Sequence, residues 1–166
     1  MSVCSVKKFK NKIVLCADSI MVSGINKDLT TKIFKVNNLF GFAMSGLGRD
    51  AQLFYSFTKT NMIAPKNDID DIYDYLIKYS DYVKEKTGIW NCESSFIIVN
   101  NGKVFTSLKN VEVFEIDDFY AIGAGQDFAL AALKLGHTVE ESINVACDLS
   151  HYCSVPIITF EFKIEK

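Results

Sequence analysis

Leu39-Phe40-Gly41-Phe42-Ala43-Met44-Ser45-Gly46-Leu47-Gly48-Arg49-Asp50-Ala51 changes its period halfway along. Up to Ser45 it is a short apolar run behind the Asn37-Asn38 turn, which reads as a strand. Beyond Gly46 the apolar residues Leu47, Ala51, Phe54, Tyr55 and Phe57 fall on one helical face and predict a helix over about 47–61. On the N-terminal side, Lys32 to Val36 completes a hairpin with this strand. Ser2 to Phe9 and Lys12 to Ala17 form an earlier hairpin around Lys10-Asn11, and Gly24 marks a break between the two. On the C-terminal side a second helix is predicted from Asp68 to Lys86, with Asp68, Asp70 and Asp71 at its positive end and Gly88 just past it. Strands follow at Ser94 to Val99 and Lys103 to Ser107 around Asn101-Gly102, then at Val111 to Ile116 and Phe119 to Ile122. Helices are expected at about Gln126 to Leu135 and Val139 to His151, the latter opened by a capping box in Thr138 and Glu141. A last strand runs from Pro156 to Ile164. Adjacent strand pairs imply antiparallel sheets, and each helix pair must cover a sheet face. The expected fold is therefore α+β, a four-layer αββα sandwich of two antiparallel sheets between helix pairs.

Composition bounds the rest. The chain has 166 residues, 49% apolar and 23% charged, with a formal net charge of −2. Such a length buries about 70% of its unfolded surface, enough for one core, and a single domain over 1–166 is expected. The apolar fraction excludes disorder, and no Lys/Arg-rich block suggests a nucleic-acid surface. No secretory signal opens the sequence, no apolar run approaches the ~18 residues of a membrane span, and only two prolines occur, Pro65 and Pro156. The five cysteines, Cys4, Cys16, Cys92, Cys147 and Cys153, are odd in number and scattered. They do not make a disulfide framework, so a cytoplasmic location with reduced thiols is expected.

Chemistry gathers at the start of the chain. Only Met1 stands before Ser2, and a small second residue is the kind that initiator-methionine removal exposes. Ser2 would then carry a hydroxyl nucleophile and an α-amine that titrates near pH ~8 and can serve as its base. Asp18 ends the strand that the hairpin folds back beside residue 2, and Lys32 opens the third strand. Their ion pair would set an ammonium charge close to the amine and lower its pKa. Gly46, between strand and helix, offers a backbone N–H to a developing oxyanion. Taken singly, Ser2 reads as an edge-strand residue and Asp18–Lys32 as an exposed pair worth about 0–1 kcal/mol. Together the four residues make an acyl-transfer site.

The chain resembles proteasome β subunits and HslV-type peptidases of the N-terminal-nucleophile (Ntn) hydrolases. The matching segments are Ile13 to Ser19, Lys32-Ile33, Gly41 to Asp50, Ala121 to Gly125, Phe128 to Ala132, Tyr152-Cys153 and Pro156-Ile157. The resemblance implies the αββα sandwich and a homo-oligomeric ring of six or seven subunits, with ring stacking in keeping with it. It also implies hydrolysis of peptide bonds in unfolded polypeptide, with an ATPase as a candidate partner. Carried across, it makes Ser2 the nucleophile in place of the family's threonine, with Asp18, Lys32 and Gly46 in support. Ala124, Ser150 and Cys153 stand where the family has a helper serine, an aspartate and a second serine. A second register, with one residue inserted in the first hairpin, aligns Met1 with the nucleophile. Two readings therefore stand side by side: a peptidase if Met1 is removed, and a catalytically silent structural ring subunit if it is kept.

Other motifs have bland explanations. Gly46-Leu47-Gly48-Arg49-Asp50-Ala51 fits a loose dinucleotide fingerprint, which would make the chain a nucleotide-binding α/β domain. That reading requires the preceding strand to lie in a parallel sheet. Cys147 and His151, four apart on a predicted helix, with Cys153 nearby, lack a fourth zinc ligand. Tyr73, Tyr75, Tyr79 and Tyr82 point in several directions from one helix, with Trp90 beyond. Some suit the core and the rest a subunit contact. No cofactor, metal, nucleic acid or membrane is expected.

Overall fold

The computed structural model describes residues 2–23, 26–63, 66–89, 93–109 and 111–164. Met1, Gly24, Pro65, Trp90 and Cys92 lie outside the described residues. The element order is β1 (Val3–Lys8), β2 (Lys12–Asp18), β3 (Ile20–Ser23), β4 (Asn26–Leu29), β5 (Ile33–Lys35), β6 (Phe40–Ser45), α1 (Gly48–Thr58) and α2 (Ile69–Thr87). It continues with β7 (Ser95–Asn100), β8 (Lys103–Leu108), β9 (Glu112–Glu115), β10 (Phe119–Gly123), α3 (Gln126–Lys134), α4 (Val139–Leu149) and β11 (Ile157–Lys163). One sheet has the order β10-β1-β2-β11 and the other β5-β6-β7-β8-β9, all antiparallel.

The layers follow from the two-residue period of the strands. Cys4, Val6, Ile13, Leu15 and Ala17 pack between the sheets, against Ile97 and Val99 of β7. Their neighbours Val3, Val14 and Cys16 face the other way, onto Ala129 and Leu133 of α3 and Ile143 and Ala146 of α4. In the second sheet Phe42, Met44, Phe96 and Ile98 turn outward onto Phe54 of α1 and Ile72, Leu76 and Tyr79 of α2. Strands buried on both faces read as nearly continuous apolar runs, because the face away from the other sheet is covered by helices. The result is the expected αββα sandwich. Asp68 caps α2 by accepting from Asp71 N–H, Gly88 closes it at φ +72°, and Thr138 and Glu141 form the capping box of α4.

Four expectations need correction. The segment after Asp18 holds a further hairpin, with β3 paired to β4, rather than a simple break. The strands predicted at 111–116 and 119–122 do not pair. The first joins β8 in one sheet and the second joins β1 in the other, so the chain crosses between sheets at residues 116–118. Helix α4 ends at Leu149, so Cys147 and the exposed His151 share no helical face. β6 is antiparallel to both β5 and β7, which overturns the nucleotide-binding reading of the Gly46 loop. Of the α2 tyrosines, Tyr75 and Tyr79 are buried, Tyr82 is half-buried and Tyr73 is exposed.

Candidate active site

Asp18 is the anchor. It ends β2 with its side chain pointing into the structure and is 1% exposed. Its Oδ1 accepts from Lys32 Nζ at 2.6 Å and from Val3 N–H at 2.8 Å. Its Oδ2 accepts from Ser154 N–H at 3.3 Å and Ile20 N–H at 3.4 Å. A carboxylate so surrounded is fully used, and a buried ion pair with its remaining valences satisfied has one geometry. Lys32 is 5% exposed, so the pair is buried, not the exposed surface pair that the residues suggest when read singly. The Lys32 carbonyl accepts from Met44 N–H at 2.9 Å, which ties the ammonium's backbone to the end of β6.

Ser2 directly precedes Val3, the residue whose N–H is held by Asp18. It is 3% exposed, a packed residue rather than an open strand edge. Its hydroxyl lies 3.0 Å from Ser45 Oγ at the end of β6. Its carbonyl accepts from Gly125 N–H at 3.3 Å in the turn between β10 and α3. Gly123, at φ +101°, permits this approach, since a Cβ there would collide with the Ser2 carbonyl oxygen and lie 2.9 Å from Ser45 Oγ.

Gly46 follows Ser45 and is exposed at φ +151°, with its missing Cβ directed at Ser94. Ser94 Oγ accepts from Leu47 N–H at 3.1 Å and donates to the buried Asp50 Oδ2 at 2.6 Å. Asp50 is further bound by Arg49, whose guanidinium is 3.1 Å from Oδ1. This network, which no spacing in the sequence announces, holds the loop that carries Gly46. Ser2, Lys32, Met44, Gly46, Ile20 and Arg49 all border one groove of ≈ 1020 Å³. Ser2, Lys32 and Gly46 thus share one groove, and Asp18, which does not line it, is tied to it through Lys32 and Val3 N–H.

Of the three positions where the sequence departs from the family pattern, Ala124 is exposed in the Gly123–Gly125 turn. Ser150 caps α4 and accepts from Tyr152 N–H at 3.3 Å. Cys153 packs beside Gly125, close enough that a Cβ there would be 2.7 Å from Sγ. Burial disfavours the thiolate form of the cysteines around Asp18. Burial pushes the Cys4 thiol far up, and Cys4 Sγ is turned to the Met44 carbonyl at 3.5 Å. Burial and then the Asp18 charge push Cys147 up to about 12 and raise Cys153. Raised values keep these groups as thiols until the pH approaches them from below. Iodoacetamide at about pH 7.5 is therefore expected to leave Cys4, Cys16, Cys147 and Cys153 unmodified in the folded chain. Rapid mass-mapped alkylation of half-buried Cys147 would contradict this. Among the described residues, no cluster of His, Cys, Asp or Glu is placed to hold a metal, and no helix is long and apolar enough to cross a membrane.

The family described as "Proteasome subunit" matches residues 6–149. Among solved structures, BPH from Thiobacillus denitrificans in complex with epoxomicin is similar at TM-score 0.86 and 16% identity, covering 99% of this chain and 100% of that one. HslV from Trypanosoma brucei is similar at TM-score 0.69 and 17% identity over 97% and 99%. Anbu from Yersinia bercovieri is similar at 0.75 and 10% over 97% and 81%. No curated protein matches the chain at a significant level.

Proposed function

The chain belongs to the proteasome-subunit family, and from that premise we propose that it is a ring-forming Ntn peptidase subunit whose nucleophile is the Ser2 hydroxyl, freed for work when the Met1–Ser2 bond is hydrolysed. The observation that carries the reading is the buried Asp18 carboxylate, which holds Val3 N–H and the Lys32 ammonium together beside Ser2 at the edge of the groove. In the proposed reaction the Ser2 α-amine takes the hydroxyl proton while Oγ bonds to the substrate carbonyl carbon. The Lys32 charge keeps the amine unprotonated, and Gly46 N–H receives the oxyanion. As the C–N bond breaks, the proton passes from the amine to the leaving amine. Water then hydrolyses the ester with the same amine as base.

The proposed substrate is unfolded polypeptide, and the proposed assembly is a homo-oligomeric ring of six or seven copies in the cytoplasm, with an ATPase as candidate partner. Large exposed apolar side chains support assembly, among them Tyr73 on α2 and Leu135 and Leu149 at the ends of α3 and α4. A second reading, a silent structural ring subunit with Met1 retained, draws support from Ala124 and Ser150, which bring no further acid or base to the turn beside Ser2.

Cleavage of an unstructured polypeptide by the purified assembly separates the two. The peptidase reading expects cleavage that Ser2→Ala abolishes, by a factor of about 10³ or more, with thermal stability unchanged. Cleavage that survives Ser2→Ala, or none in a ring with Met1 intact, overturns it.

A further inference from the structure

The hydroxyl of Ser45 is the one polar side chain among the described residues that is hydrogen-bonded to Ser2 Oγ. The two serines come from opposite sheets: Ser2 leads into β1, and Ser45 ends β6 and pairs with Ser95 of β7. Their 3.0 Å contact is therefore a place where the sandwich itself closes around the candidate nucleophile. Other polar side chains around the groove have partners of their own. Lys32 Nζ donates to Asp18, Cys4 Sγ is turned to the Met44 carbonyl, and Ser94 Oγ spans Leu47 N–H and Asp50.

Ser45 is also held in place by backbone. Met44 N–H is bound to the Lys32 carbonyl at 2.9 Å, and Ser45 lies in register with Ser95. Gly123 closes over the pair from β10, with room for no side chain of its own between Ser2 and Ser45. The freedom left to Ser45 is rotation of its side chain and of its hydroxyl proton. The backbone that carries the donor is thus fixed before reaction, and only the side chain has to settle onto Ser2 Oγ.

We infer that Ser45 is a catalytic partner of Ser2, its O–H donating to Ser2 Oγ and supporting the negative charge that develops there as the proton leaves. The inference rests on the reading of Ser2 as nucleophile. Before attack, the Ser2 O–H proton points to the α-amine and Ser45 O–H points to Ser2 Oγ. On attack the Ser2 O–H bond breaks and its proton moves to the amine. Oγ bonds to the carbonyl carbon as the carbonyl electron pair moves onto its own oxygen, and until that C–O bond is complete Oγ carries part of the negative charge. The Ser45 proton stays on Ser45 throughout, so its contribution is a hydrogen bond that strengthens as charge builds. A donor of this kind acts on the chemical step and not on substrate binding.

The test is the rate at which a β-lactone acylates Ser2, with kcat and KM for a fluorogenic peptide, in the processed wild-type chain, Ser45→Ala and Ser45→Thr. Ser45→Ala is expected to slow acylation and kcat roughly 10- to 100-fold with KM unchanged, and Ser45→Thr, which keeps the hydroxyl, to recover most of the rate. Wild-type acylation in Ser45→Ala overturns the assignment. So does a Ser45→Thr chain as slow as Ser45→Ala, which would make the residue a packing element. A wild-type chain that is not acylated at Ser2 overturns the nucleophile reading itself, and this inference with it.

Discussion

Replacing Lys32 by alanine is expected to abolish peptide cleavage and to cost the fold about 3–5 kcal/mol. The ammonium is 2.6 Å from Asp18 Oδ1, and both residues are at least 95% buried. Removing it leaves a carboxylate in the interior with only three backbone N–H groups as partners. An uncompensated buried charge is far more costly than a lost surface pair, which would change stability by no more than about 1 kcal/mol. On the proposed reading the functional loss has a separate cause, the removal of the cation that keeps the Ser2 amine in its basic form. Combining Asp18→Asn with Lys32→Met separates the two effects. That double variant removes both charges, so most of the stability should return while cleavage stays absent. Urea unfolding and cleavage assays on the three chains check this. A Lys32→Ala chain that unfolds within 1 kcal/mol of the wild type, or that cleaves normally, contradicts the arrangement.

The second large effect lies away from the groove. Phe54 of α1 is fully buried, with ring centroids 4.7 Å from Phe42, 4.8 Å from Tyr79 and 4.7 Å from Phe96. Phe54→Ala removes the ring where both sheet strands and α2 meet. A loss of about 3–5 kcal/mol is expected, a large share of the roughly 5–15 kcal/mol that holds a domain folded. Because α1 begins two residues after Gly46, the loosened helix should also weaken cleavage at temperatures where the chain remains folded. A shift in urea midpoint equivalent to under 1 kcal/mol would show that this cluster does not hold the outer layer together.

Much of this arrangement is legible in the residues. Strands covered on both faces leave long apolar runs, so β2 and β7 announce themselves, and the caps at Asp68, Gly88, Thr138 and Glu141 mark α2 and α4. Asp18, Lys32 and Gly46 can be picked out because each sits at the end of a strand, where side chains and backbone are free to converge. The β3–β4 hairpin is hidden because Asn26, Lys27 and Asp28 are poor strand formers, and their pairing with β3 supplies what propensity does not. The split of β9 and β10 between sheets is hidden because a short connection signals a hairpin unless the chain changes layer. Ser45 and Ser94 could not be singled out at all. A serine carries no spacing signal, and each acquires its role from contacts more than 40 residues away in sequence.

On the proposed reading the Asp18–Lys32 pair sets Ser2 in place through Val3 N–H, and the reaction requires that the Ser2 amine be free. The most direct measurement is the intact mass of the purified protein before and after a β-lactone, with the adduct located by peptide mapping. The account predicts a chain lighter by one methionine that gains a single adduct on Ser2. A chain that keeps Met1 and gains none would contradict it.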